Sequence, residues 1–422
     1  YRTIESKEFL MERVILHSDM NSCYASIEAK LNPKLRGLPL AVAGNVENRH
    51  GIILAKSQEA KVFGVKTGEP IWQAKGKCPD LVIVPPQYDQ YLIHSRMARK
   101  IYYEYTNQVE PFGLDECFLD VTGSVHLFGS GEDIALEIKE RIKKELGITV
   151  SIGLSFNKIF AKLGSDYKKP DALTVIKRKD FKDIVWPLPV EAMIGVGPAT
   201  KRKLNNIGIF CLKDLAQSPP ELMKSMFGVV GLELWVNANG LNMTEVKDFD
   251  HMDRIKSIGN STTCRKDLKT FDEVFHIFQA LSFSVSRRLR DHGLKACGVQ
   301  IYIRDSELSS QEFQIPLDHP SNASIILAKA AREIFLKRYS WHLPVRAVGI
   351  RGIDLISDKS PIQVDMLADF KGYLRDENLD LALYKIRKKH GKNSVTFASL
   401  NQDIHFDQNR TEVVTLPNQL IR

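Results

Sequence analysis

The chain has 422 residues, 43% of them apolar or aromatic and 26% charged, which excludes disordered and collagen-like classes and suits about two to four domains. Lys and Arg number 59 against 51 Asp and Glu, and the net charge of +8 favours an anionic partner, because bound cations release counterions condensed on a polyanion. No run approaches the about 18 apolar residues of a membrane span and no signal-peptide core opens the chain, so a soluble cytosolic protein without a membrane partner is expected. Six cysteines (Cys23, Cys78, Cys117, Cys211, Cys264 and Cys297) form no CxxC and no Cys/His cluster, which points to reduced, buried thiols rather than zinc.

The first element is a buried strand in VILHSDM, where the aliphatic run stops at Asp19, followed by helical spacing through Ile27 and Leu31. Taken alone, Asp19 reads as a helix N-cap, a position that favours Asp. Residues 32–88 are rich in Gly and Pro and carry short strands in LAVAG and GIILA, as an insertion would. Then come a helix in YLIHSRMARKIYYEY, a hairpin in VEPFGLDECFLDVTG and an amphipathic helix in DIALEIKERIKKELG. A strand in ITVSIGLS, a helix in NKIFAKLGSDY and a strand in ALTVI follow. This alternation predicts an α/β domain with a mixed sheet.

From Phe181 to about Val246 the pattern becomes short helices punctuated by glycine, ending in a charged linker, KDFDHMDRIK. A strand in KSIGNSTTC, a helix with apolar Phe271, Val274, Phe278, Leu281, Val285 and Leu289, strands in CGVQIYIR and SQEFQIPL, a helix in ASIILAKAAREIFLKRY and a strand in VRAVGIRGIDL complete a β-α-β-β-α-β order, that of a split βαβ domain. The tail beyond residue 356 carries a basic helix, LDLALYKIRKKHG.

A second acidic site, Asp115 and Glu116 in GLDECFLDV, changes the meaning of the first. Neighbours in a regular strand point to opposite faces, so two adjacent acids meet one spot only at a turn or bulge, and Gly113 supplies a turn. An isolated acidic pair usually means a solvated turn. Here the apolar flanks VEPF and CFLDV make it a connection between buried strands. Three carboxylates at strand ends need a cation, and an all-oxygen set suits magnesium or manganese. Two such ions about 3.5 to 4 Å apart form a clamp for in-line phosphoryl transfer. Asp19 then reads as a ligand.

HSDMNSCYASIE, EAKVFGVKTGEP, GLDECFLDV, SIGLSFNKIFAKLGSDYKKP, MIGVGPATKRKLNNIGI and KSIGNSTT occur in the order found in Y-family DNA polymerases, and the chain resembles their bacterial DNA polymerase IV (DinB) branch over roughly residues 12–355. The resemblance implies a multidomain α/β and α+β right hand: palm (12–23 and 89–180), fingers (24–88), helix-hairpin-helix thumb (181–247), linker (248–258), split βαβ little finger (259–356) and a tail (357–422). It implies low-fidelity translesion synthesis on primer-template DNA from dNTPs, by a monomer in the bacterial cytoplasm at the nucleoid.

By that resemblance Asp19, Asp115, Glu116 and the Met20 carbonyl hold two magnesium ions, with manganese as the alternative, and Tyr24 is a steric gate against the 2′-hydroxyl; without it Tyr24 reads as a core aromatic. Gln58 and Lys61 in QEAK stand where the family often has YEAR, which weakens their triphosphate role because Lys lacks the planar fork of Arg. Lys169 in YKKP matches a further triphosphate contact, and Asn21 replaces a common Asp. Ile52 and Leu54 align with the roof over the new base pair, although core packing explains them equally. Gly195 and Gly197 open a helix with Lys201, Arg202 and Lys203 in its first turn, a phosphate-binding pattern. Gln363 and Leu367 in PIQVDMLADF resemble a sliding-clamp peptide. A non-catalytic accessory relative should have lost a carboxylate, and all three are present. A nucleotidyl cyclase would have no use for the thumb-like hairpin or the basic terminal domain.

Overall fold

The computed structural model describes residues 12–46, 49, 51–251, 254–361, 370–391 and 394–401. These residues form two compact units, one of 12–44 and 52–251, the other holding the remainder.

The first unit is organised by β1 (Ile15–Met20), whose six residues are all buried. Antiparallel neighbours β6 (Glu116–Asp120) and β7 (Val150–Ser155) flank it. β5 (Val109–Pro111) and β8 (Leu173–Ile176) extend the sheet to the order β5-β6-β1-β7-β8, and the β7–β8 pair is parallel, making the expected mixed sheet. Burial on both faces explains the unbroken aliphatic start of β1. Leu16 and Met20 join a core with Ile27, Tyr91, Ala98, Tyr102, Ile134 and Ile138, from helices Cys23–Leu31, Tyr88–Tyr103 and Gly131–Arg141. Ile15 and Phe118 pack instead on Ala161 of the helix Lys158–Tyr167. The polar residues between them find partners inside the unit: Ser18 Oγ lies 2.9 Å from the Tyr102 hydroxyl and His17 Nδ1 lies 2.8 Å from Ser165 Oγ.

A separate three-stranded sheet, β2 (Leu40–Ala43), β3 (Ile53–Lys56) and β4 (Val82–Val84) in the order β3-β2-β4, has its own small core of Ala41, Ile53, Ala60, Ala74 and Leu81. Five short helices between Phe181 and Ala238 pack around Leu204, Leu212, Met223 and Leu234.

The second unit has an all-antiparallel sheet in the order β11-β10-β12-β9, from β9 (Ser257–Leu268), β10 (Leu294–Asp305), β11 (Ser310–Ser321) and β12 (Val345–Ser357). β12 lies between β9 and β10, which is the split βαβ arrangement. Helices Phe271–Asp291 and Ser324–Arg338 supply Phe278, Leu281, Leu327 and Ile334 to one core beneath it.

The basic helix of the tail begins earlier than its sequence suggested, at Phe370, and runs to His390. Its buried residues are acids, while Leu374 and Leu379 are exposed. Asp380 is buried and accepts hydrogen bonds from Ser286 Oγ at 3.0 Å, Arg290 at 3.1 Å and the Ser324 hydroxyl. Among the described residues no helix is long and apolar enough to cross a membrane. All six cysteines are free, four buried and Cys211 and Cys297 half-buried.

One close approach positions the helix Lys158–Tyr167 on the sheet. A Cβ added at Gly153 of β7 would stand 1.9 Å from the Ala161 carbonyl oxygen and 2.4 Å from the Ser165 nitrogen. Gly153→Ala should therefore destabilise the first unit by about 3 kcal/mol through forced backbone movement. Gly76→Ala, whose Cβ meets nothing within 4 Å, should be neutral or stabilising by about 0.5 kcal/mol. Urea unfolding of both variants checks the contrast; equal midpoints would contradict it.

Candidate active site

The register of β1 and β6 sets Asp19 directly opposite Glu116. Facing residues of an antiparallel pair share one side of the sheet. His17 and Phe118, the next facing pair but one, share that side, with ring centroids 4.5 Å apart. The turn before β6 is closed by Phe112 N donating to the Glu116 carbonyl at 2.8 Å, and Gly113 adopts φ +100°, a conformation that favours glycine. Met20 N donates to the Asp115 carbonyl at 3.0 Å, tying the end of β1 to this turn.

The chain after β7 brings cations to the acids. Lys169 Nζ lies 2.5 Å from Asp19 Oδ2 and 2.6 Å from Asp166, and Lys162 Nζ lies 2.6 Å from Glu116 Oε2. Burial pushes the Asp19 carboxyl up against the opposing pull of Lys169. Burial also raises Asp115, with the neighbouring Glu116 charge adding to it. Glu116 behaves oppositely: burial would raise it, but His17 and Lys162 together outweigh that and hold it below the usual carboxylate range. Burial lowers the His17 imidazole against the opposing pull of Glu116, whose Oε2 lies 3.4 Å from its Nε2.

Among the described residues no three His, Cys, Asp or Glu side chains stand together as a metal-ligand cluster. Adjacency explains this: Glu116 turns to Lys162 and His17, whereas the Asp115 charge acts on Cys23 and Tyr24. In donor chemistry the three carboxylates still fit a hard divalent cation, since all are oxygen ligands of one sign. Asp19 is not a helix cap: it belongs to β1, and Ser22 occupies the N-cap of the helix Cys23–Leu31. An acid thus stays in a buried strand because an ammonium meets it there.

Tyr24 sits in the first turn of that helix, half-buried, its ring stacked on Tyr91 with centroids 4.1 Å apart and planes at 9°. Gln58, at the start of the helix Gln58–Val62, donates from Nε2 to Ser22 Oγ at 3.1 Å, so it reaches the N-terminal end of the helix that carries Tyr24. Lys61 is exposed one turn further on; burial and the Lys61 charge together lower the Lys56 ammonium. Ile52 is 43% exposed, so core packing does not account for it, while Leu54 is half-buried.

Gly195 adopts φ +91° and Gly197 is the N-cap of the helix Pro198–Asn205. Lys201 closes its first turn and pairs with Glu191 at 2.5 Å; Arg202 and Lys203 lie in the last turn rather than the first, because the helix begins at Pro198 and has only 8 residues. Gln363 and Leu367 lie outside the described residues. Sequence reasoning missed Lys162 and Tyr91. The Lys158, Lys162, Asp166 spacing of four residues was a signal for one charged helix face, and Tyr91 offered none.

Residues 18–166 match the impB/mucB/samB family, residues 178–209 its HHH motif and residues 255–366 its C-terminal domain. The DNA polymerase IV of Acetivibrio thermocellus is 48% identical over 393 residues, covering 93% of this chain and 98% of that protein. The DNA polymerase IV of Bacillus velezensis is 38% identical, covering 91% of this chain and 92% of its own length. In fold, the solved Y-family DNA polymerase chimera Dbh-Dpo4(243-245)-Dbh superposes with a TM-score of 0.71 at 23% identity, covering 82% of this chain and 99% of that one. With the family's main region, HHH motif and C-terminal domain all matched in order, the chain belongs to the impB/mucB/samB family, the DNA polymerase IV group of the Y-family.

Proposed function

We propose that the chain is a DNA-directed DNA polymerase that copies a template with low fidelity past damaged bases. The observation that carries this reading is the Asp19–Glu116 pair, one buried and one half-buried, set face to face by strand register and met by two lysines. Asp19, Asp115, Glu116 and the Met20 carbonyl would hold two magnesium or manganese ions, which supply acidity to the primer 3′-hydroxyl and counter-charge to the triphosphate.

Around that centre the chain's own groups divide the work. Lys169, already bridging Asp19 and Asp166, offers its ammonium to triphosphate oxygens, and Gln58 and Lys61 approach from the fingers. The Tyr24 ring closes the space a 2′-hydroxyl would need. Lys162 is a standing counter-charge for Glu116, so the acid remains ionised between turnovers. Gly195, Gly197 and Lys201 in the thumb bind the duplex backbone, and Arg304 and Arg351 on β10 and β12 lie along phosphates, positioning the DNA without reading its sequence. The palm is 12–23 with 89–180, the fingers 24–88, the thumb 181–247 and the little finger 259–356. The partners are primer-template DNA, a dNTP and a sliding clamp; the enzyme works as a monomer in the cytoplasm at the nucleoid.

With magnesium, a primed template and one dNTP at a time, the complementary nucleotide should extend the primer most efficiently, with measurable extension by the mismatched ones. Asp115→Ala and Glu116→Ala should each lower extension by about 1,000-fold or more while primer-template still binds, since the duplex contacts lie on other elements. Extension near the parental rate in both variants would overturn the carboxylate assignment.

Gln363→Ala combined with Leu367→Ala should abolish stimulation by the sliding clamp and spare the short products made without it, because tethering acts through effective concentration at the primer end. Undiminished stimulation would place the clamp peptide elsewhere.

A further inference from the structure

Tyr24 does not stand alone on its helix. Its ring lies almost flat on Tyr91, and Tyr88 closes on both edge-on at 6.2 and 5.9 Å. The far end of Tyr91 is fixed as firmly as its face. Its hydroxyl donates to Glu28 Oε1 at 2.5 Å and accepts from Gln87 N at 3.0 Å, while Gln87 Nε2 donates to Glu28 Oε2 at 2.7 Å. Both oxygens of one carboxylate are thus used, and Glu28, at 4% exposed, is inside the protein.

A buried acid here has no ammonium partner among its hydrogen bonds, yet it sits one turn along the same helix from the gate ring. A carboxylate taken out of water is costly unless its lone pairs are filled, and filling them with a phenol and an amide pins both donors. Burial and the Glu28 carboxylate push the Tyr91 phenol up, so the phenol remains a donor. We infer that Glu28 is a positioning residue for sugar discrimination: through Tyr91 it fixes the height and tilt of the Tyr24 ring, so that the ring cannot yield to a 2′-hydroxyl.

The physical logic is one of stiffness. An aromatic gate excludes a ribose only as far as the ring resists displacement. A ring resting on another ring held by loose packing alone could sink or rotate at the expense of the aromatic contact only. A ring resting on one bonded to a buried carboxylate must break a charge-assisted hydrogen bond as well. Glu28 does not touch the nucleotide. Its effect falls on the ribonucleotide term, because a deoxyribose never presses on the ring.

This inference rests on the gate role of Tyr24, and the test separates the two. The ratio of kcat/KM for dNTP to that for rNTP is measured for Tyr24→Ala, Tyr91→Phe, Glu28→Ala and Glu28→Gln. Tyr91→Phe keeps the stacked ring and removes only the tether, so it stays folded if the larger Glu28→Ala change does not. Tyr91→Phe and Glu28→Ala should lower the ratio by about tenfold, the factor that 1.4 kcal/mol of lost resistance gives, through faster rNTP insertion. Glu28→Gln, which can still accept from the phenol, should recover most of it. If Tyr24→Ala collapses the ratio while Tyr91→Phe keeps the parental value, the gate stands and the tether is overturned. If Tyr24→Ala leaves the ratio unchanged, the gate reading and the tether fall together.

Discussion

Asp19 facing Glu116 across two antiparallel strands is a repulsive arrangement that the rest of the first unit is built to hold. A buried and a half-buried carboxylate facing each other on neighbouring strands raise each other's cost of ionisation, and neither can retreat, because both are anchored in ladders that continue into the core. The protein meets this with lysines delivered by the helix that follows β7. Lys162 comes from the helix Lys158–Tyr167 and Lys169 from just beyond its end. That delivery depends on Gly153, where helix backbone and strand backbone approach too closely for any side chain. A packing constraint in the sheet therefore sets where charge can be neutralised at its edge.

The same strand divides the site by parity. Odd positions of β1 face the lysine-bearing helix, with His17 held by Ser165 and packed on Phe118. Even positions face the opposite side, where Ser18 meets the Tyr102 hydroxyl. The two faces of the strand are joined to the acidic turn through Met20 and its bond to the Asp115 carbonyl. His17 is buried against Glu116 and acts on it together with Lys162, whose ammonium lies 2.6 Å from Glu116 Oε2.

Much of this was legible in the sequence wherever burial and periodicity agreed. The aliphatic start of β1, the hairpin around Gly113 and the β-α-β-β-α-β order all follow from apolar spacing and turn chemistry. Local signals failed where tertiary contacts decide. Asp19 alone resembles a cap, and only Lys169, 150 positions away, shows why an acid can end a buried strand. Tyr91 reads as one more core aromatic because its role lies in what rests on it. The helix Phe370–His390 inverts the usual pattern, burying Asp376 and Asp380 and exposing leucines, so no hydrophobic periodicity could reveal its docking or its start. Arg202 and Lys203 fall in the last turn of the helix after Gly197 rather than the first, because that helix already begins at Pro198 and has only 8 residues.

The most direct measurement is manganese binding by electron paramagnetic resonance, with a chain-terminated primer-template and the next complementary dNTP present. The carboxylate arrangement predicts about two ions per chain, falling towards one or none when Asp19→Asn and Glu116→Gln are combined, while the DNA remains bound. A stoichiometry unchanged by that double substitution would contradict the claim that this strand register builds the catalytic centre.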